Sequence, residues 1–439
     1  MCSLKKLVSM LCFALLAIIN VNAQSFLTKS VTENGYTYSV VTNDPLKTRI
    51  YTLPNGLKIY LSVYKDAPRI QTYIAVKAGS KNDPTSLTGL AHYLEHMVFK
   101  GTSKIGTYDW QNESKQLAKI EALYETYGQT KDEKKREKLY AQIDSVSSVA
   151  AKYAIANEYD KIVSAIGAKG TNAYTWVEQT VYMNDIPANE IERWAKLEAE
   201  RFGELTPRLF HTELEAVYEE KNTRIDSDGD KIFDATFEAM FPNNTYGSQT
   251  TIGTVEHLKN PSITAIKNYF YTYYVPNNMA ICLSGDFDPD QTIKTIDKYW
   301  GGKKSKVVPA YNPFQEKPIE KPIFKSVTGP SPASLAICYR FPGAASKDVR
   351  TMEMFSKVLS NGKAGVLDLN LIQKQKVLGA QVFPYSMKDY SINMIMANPR
   401  EGQSLDEVKN LILAQIDSVK KGKFDESLLQ AIINNEKIG

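Results

Sequence analysis

The sequence predicts an α+β protein built from two-layer domains, each a mostly antiparallel sheet packed with helices. Three observations predict this class. Alternating runs are joined by short turn signals, the connection that antiparallel strands use. Other long segments repeat apolar residues at helical spacing. Two such mixed stretches flank residues 301–322, which are rich in Gly, Lys and Pro, lack periodicity and read as a linker.

Taken in order, residues 1–23 read as a signal peptide. Lys5 and Lys6 give a basic start, Leu7 to Val21 an apolar run, and Val21-Asn22-Ala23 a small-residue cleavage site. The run is short for a membrane span, so export to the periplasm or outside the cell is expected, with no stable span afterwards. Residues 24–300 form the first domain. Ser39 to Lys65 reads as a hairpin around Pro54-Asn55-Gly56, and Ile70 to Ala78 as a further strand ended by Gly79-Ser80. A helix then begins near Ser86 or Thr88, with Thr88 as its cap, beyond an open sheet edge. Residues 108–155 are densely charged, with Leu117, Ile120, Leu123 and Leu139, Ile143, Val146 at helical spacing, and predict an α-hairpin inserted into the domain and standing out from it. Ile162 to Met183 reads as sheet, Ala188 to Phe202 as helix and His211 to about Asp226 as a second helix. Met279 to Ser284 is a buried strand and Ile293 to Trp300 a helix. Residues 323–439 repeat the mixed pattern as a second α+β domain, which reads as incomplete beside ordinary domain sizes.

Composition narrows the function classes. With 43% hydrophobic and 23% charged residues the chain is globular with sizeable cores. A net charge of +4 is too small and too mixed to point to nucleic acid. Cys2 and Cys12 fall in the signal segment. Cys282 and Cys338 sit in apolar strand-like runs, as free thiols or as one disulfide in an oxidising compartment.

The chemistry is concentrated in Gly89 to Thr102. This stretch carries His92, Glu95 and His96, an H-x-x-E-H pattern holding two of only four histidines. Four residues along a helix turn the second imidazole by about 40° from the first, so both rings reach one point. Neutral imidazoles in that arrangement suit zinc. Glu95, on a nearby edge, can reach a water there without ligating the metal, as a general base must. Catalytic zinc usually takes three protein ligands and leaves a fourth position for water. The helix from His211 offers Glu213 and Glu220 on one face, and either can supply the missing carboxylate.

These residues resemble the pitrilysin/insulinase family of inverted zinc metallopeptidases, whose signature is H-x-x-E-H. Leu53-Pro-Asn-Gly-Leu57 resembles its opening strand pair, Gly89 to Thr102 its metal helix, and Asn172-Ala-Tyr-Thr175 with Glu178-Gln-Thr180 its substrate-edge strand. Glu213 to Glu220 resembles its paired-glutamate helix, and Pro276-Asn277-Asn278 and Gly285-Asp286-Phe287 the end of its first domain. The resemblance implies one zinc ion per chain held by His92, His96 and Glu220, with Glu95 as base and Glu213 as a catalytic-site carboxylate beside it. It implies peptide or unfolded-polypeptide substrates laid along Asn172 and Ala173 as an added strand. It also implies a second peptidase-like half or a partner subunit, which supplies groups that this chain lacks. The rival expectation is a non-catalytic structural or peptide-binding subunit of a peptidase-like complex.

Overall fold

The computed structural model describes residues 26–438. The expected signal segment, residues 1–23, lies outside the described residues. Two sheets organise the chain. The larger has eight strands: β1 Thr28–Glu33, β2 Tyr36–Val41, β3 Arg49–Thr52, β4 Lys58–Val63, β5 Arg69–Val76, β6 Lys169–Thr175, β7 Thr180–Pro187 and β8 Met279–Gly285. Their order is β1-β2-β3-β4-β8-β5-β7-β6. Every pairing is antiparallel except β4 with β8, which is parallel. The fold class is therefore the α+β one expected.

The sheet begins earlier than the pattern from Ser39 suggests. Asn34 and Gly35 both take positive φ, 51° and 84°. That is the requirement of a tight hairpin turn, and it pairs β1 with β2. The strand before the histidine helix is also placed differently from expectation. β5 is interior, between β8 and β7, and the open edge is β6.

Helices cover the sheet. They are α1 Leu90–Val98, α2 Trp110–Gln129, α3 Glu133–Ala151, α4 Glu158–Ala165, α5 Ile191–Arg201, α6 Phe210–Asp226, α7 Asp228–Met240, α8 Ile263–Tyr273 and α9 Pro289–Trp300. One apolar cluster joins sheet residues such as Ile59, Leu61, Ile74 and Ile281 to Leu94, Met97, Trp194, Phe270 and Trp300 from the helices. Each fully buried Leu, Ile or Phe contributes about 1.5–3 kcal/mol relative to exposure.

The charged segment does form two antiparallel helices, α2 and α3, capped by the Asp109 and Asp132 carboxylates. It does not stand clear of the sheet domain. Leu117, Ile120, Tyr124 and Ile143 belong to the main core, while the charged faces meet solvent. Buried Glu113 of α2 pairs with Arg208 at 2.6 Å, which fastens the hairpin beneath the loop after α1. A second correction concerns Ile162 to Met183. Its first four residues end helix α4, because Tyr159 and Val163 bury one helical face that a short apolar run does not distinguish from a strand.

The second sheet is β9 Leu335–Pro342, β10 Gly379–Ser386 and β11 Tyr390–Asn398, antiparallel in the order β10-β11-β9. It packs with α10 Lys347–Leu359, α11 Leu405–Lys420 and α12 Ser427–Ile438 around Leu359, Leu371, Ile395, Val408 and Ile412. Residues 301–334 between the sheets carry no helix or strand. Cys282 and Cys338 lie on β8 and β9 as free thiols. Among the described residues no helix is long and apolar enough to cross a membrane.

Candidate metal centre

Helix α1 is held almost wholly inside the protein. Leu90, Ala91, Tyr93, Leu94, Met97 and Val98 are buried in the core, which fixes its rotation. Thr88 does not cap it. The helix starts at Leu90 behind Gly89, whose φ is +87°. The buried Asp83 carboxylate accepts from the Gly89 and Ala91 amides at 2.8 and 3.0 Å, so it serves the helix N-terminus instead. Thr88 is engaged elsewhere, with its Oγ1 2.7 Å from His257 Nδ1.

This rotation turns His92, Glu95 and His96 toward one cavity. It has a volume of about 490 Å³, and Asn172, Ala173 and Thr175 of β6 and Glu213 and Glu220 of α6 line it too. The two imidazoles stand edge to face, ring centroids 4.9 Å apart. Both Nε2 atoms face one carboxylate oxygen, Glu220 Oε2, at 3.5 Å from His92 and 3.8 Å from His96. The three donor atoms lie within 4.8 Å of one another. Among the described residues no other group of three His, Cys, Asp or Glu side chains converges in this way.

The donor chemistry fits a zinc ion. Two imidazoles and a carboxylate make the three-ligand set of an open site. Burial, helped by His96 and Arg224, pushes the His92 pKa down to about 3, so its ring is neutral and ligand-ready at ordinary pH. His92 Nδ1, the ring nitrogen turned away from Glu220, is buried with no protein hydrogen-bond partner. Around this set, Glu213 Oε2 lies 3.4 Å from His96 Nδ1, and Lys100 pairs with the same carboxylate. A carboxylate behind a ligand imidazole fixes its tautomer and orientation.

Glu95 is 8% exposed and lies beside the histidines without joining the triad. Burial raises its pKa, while the Thr175 hydroxyl and His96 act against that rise and Glu220 adds to it. Helix spacing alone leaves Glu213 and Glu220 equivalent, whereas the family resemblance implies Glu220 as the ligand and Glu213 as the carboxylate beside it. The fold separates them, with Glu220 at both Nε2 atoms and Glu213 at the back of His96. Asn172 and Ala173 lie on the open edge strand, Asn172 exposed and Ala173 half-buried. Sequence reasoning gives no role to Asp83 or Lys100, and it places Thr175 on the substrate-edge strand without its bond to Glu95. Only Lys100 carried a local signal, being one turn beyond His96.

Comparison with known proteins identifies the lineage. Residues 60–123 match the family described as Insulinase (Peptidase family M16), and residues 262–436 match Peptidase M16 inactive domain. Zinc protease PqqE of Helicobacter pylori is 23% identical over 398 residues, covering 88% of this chain and 78% of the relative. Uncharacterized zinc protease YmxG of Bacillus subtilis is 24% identical over 343 residues, covering 76% and 69%.

The chain belongs to peptidase family M16, the pitrilysin/insulinase family.

Solved M16 structures carry the same fold. A protease from Helicobacter pylori superposes with a TM-score of 0.71 at 23% identity, over 89% of this chain and 84% of that one. The first half of the periplasmic protease PqqL from Escherichia coli gives 0.62 at 15%, over 89% and 76%. Pitrilysin gives 0.61 at 18%, and this chain spans 39% of its length. The first matched segment holds His92, Glu95 and His96, whereas Glu220 and β6 fall between the two segments. Their place beside the histidines is a finding of the three-dimensional structure.

Proposed function

We propose that this M16 protein is an exported zinc-dependent endopeptidase acting on peptides or unfolded polypeptides. The observation that carries the reading is the meeting of His92, His96 and Glu220 beside Glu95 in one open cavity. In it, the three side chains hold one zinc ion, which when bound supplies Lewis acidity and lowers the pKa of a water. The Glu95 carboxylate takes the proton from the attacking water and passes it to the leaving amine. Its burial supports this role, since a raised carboxyl pKa brings the base nearer to neutral pH. Glu213 orients His96 from behind. The substrate pairs as a ninth strand along β6, whose free edge runs through Asn172 and Ala173 into the cavity.

The same proposal divides the chain into a zinc-peptidase domain over 24–300 with the helical insertion, a linker over 301–322 and a second peptidase-like domain over 323–439. Export is supported by the sequence of residues 1–23 and by the periplasmic setting of PqqL. A second peptidase-like half or partner subunit is supported by the PqqL structure, which is that of a first half. One observation favours the rival reading of a non-catalytic peptide-binding subunit, namely the match of residues 262–436 to a domain described as inactive.

Hydrolysis of a quenched peptide by the zinc-loaded protein, compared with Glu95→Gln, separates the two. The peptidase reading expects one zinc per chain in both proteins and activity only in the wild type. Zinc-free protein, or activity that survives Glu95→Gln, sinks it.

A further inference from the structure

Thr175 closes strand β6, half-buried and beside helix α1. Its Oγ1 donates to Glu95 Oε2 at 2.6 Å. A hydroxyl has one proton to give. The competing acceptor, Thr180 Oγ1, is 3.5 Å away, too long for a strong bond. Thr180 spends its own proton on the Ala78 carbonyl at 3.0 Å. The Thr175 proton therefore belongs to Glu95, and among the described residues no other group hydrogen-bonds that carboxylate.

The anchor is itself held. Thr175 pairs with Thr180 across β6 and β7. The next residue, Trp176, gives its carbonyl to the Ser80 amide at 3.2 Å and stacks its ring on Tyr385 of the second sheet. A carboxylate fixed by one short hydrogen bond from a rigid strand has a defined rotamer, which Glu95 needs if it is to face the histidine pair.

We propose that Thr175 is a positioning residue for the reaction, whose hydroxyl sets the Glu95 carboxylate toward the cavity. The strand along which substrate pairs then also orients the base. The inference rests on the reading of Glu95 as general base. A purely structural role, tying β6 to α1, would change stability and leave the turnover step alone.

Thr175→Val keeps the branched shape and removes the donor, whereas Thr175→Ser keeps the donor and trims one methyl. In the zinc-loaded protein, T175V is expected to lower kcat on a quenched peptide about 10–100-fold with zinc content unchanged. KM stays within about twofold, because an interaction that serves the transition state alone leaves it there. T175S keeps most of the wild-type kcat. An unchanged kcat in T175V, or equal losses in both variants, overturns the proposal. Crystal structures of both variants supply a readout independent of activity. Glu95 is expected to leave its wild-type rotamer in T175V and to keep it in T175S, and an unmoved carboxylate in T175V overturns the proposal. A wild-type protein that holds zinc yet cleaves nothing, even with the second half or partner subunit supplied, rejects the general-base reading instead, while the rotamer comparison still decides what Thr175 does.

Discussion

Glu213 shows how much one side chain away from the reaction can govern a site. It is 15% exposed, faces His96 Nδ1 and pairs with Lys100. Burial pushes its pKa up, but the bonds from His96 and Lys100 outweigh burial and leave it below the ordinary carboxylate value. It therefore stays ionised well into acid, and its charge keeps a proton on His96 Nδ1 and the lone pair on Nε2, the atom facing Glu220. Glu213→Gln keeps the shape and removes that charge. Zinc affinity, read by competition with a chromophoric chelator, is expected to fall about 10–100-fold. At saturating zinc kcat should fall far less than in Glu95→Gln. An unchanged zinc affinity would mean that the 3.4 Å approach of Glu213 to His96 has no bearing on the metal.

At the scale of the element, the helix start decides whether the histidines face the cavity. Gly89 holds φ at +87°, where side chains are strained, and a Cβ there would lie 2.6 Å from the Ile252 carbonyl oxygen. Both partners are backbone, so neither can swing away. Gly89→Ala is expected to cost about 1–3 kcal/mol. Because α1 would shift to relieve the clash, zinc affinity should fall with it. A variant that melts and binds zinc like the wild type would show that the helix start is less constrained than its packing implies. The sequence made α1 legible because its information is local, in the four-residue spacing of His92 and His96. Its cap was not legible, because Asp83 reaches the amides of Gly89 and Ala91 across a loop that only tertiary contacts shape. The same holds for Thr175, which meets Glu95 where the end of β6 packs beside helix α1. The first strand was missed for a different reason. Asn34-Gly35 is a local turn signal, but β1 before it is largely exposed, with Val31 its only apolar residue, and lacks the alternation used to find the others. Helix α4 was read as strand because its apolar run is too short to show a period.

At the scale of the molecule, the two sheets meet at the turn that follows Thr175. Val177, Phe237, Phe241 and Tyr246 from the first region pack with Met387 and Ile392 from the second. A polar knot sits beside them. Lys81, 8% exposed, reaches Glu178 at 2.6 Å and Asp389 at 3.7 Å. Tyr246 donates to Glu178 at 2.5 Å, and the Lys388 amide donates to it at 2.9 Å. Burial raises the Glu178 pKa, yet Lys81, Tyr246 and the Lys388 amide lower it by more, so the net shift is downward from 4.5. The folded carboxyl thus binds its proton less tightly than the unfolded one. Its contribution to stability is whole above pH 4.5 and drains away as pH falls through the lower folded value. Glu178→Gln leaves the Lys81 ammonium with only Asp389 and should cost about 1–3 kcal/mol at neutral pH. The gap in stability between wild type and variant, followed by thermal melts, is expected to close as the pH drops below 4.5. A gap that stays constant across that range would mean that the Glu178 charge does not hold the two sheets together. The turn that carries Glu178 also ends β6, so a loosened junction reaches the base through Thr175. E178Q should then lower kcat as well as melting temperature, unlike destabilising changes placed elsewhere in the second sheet.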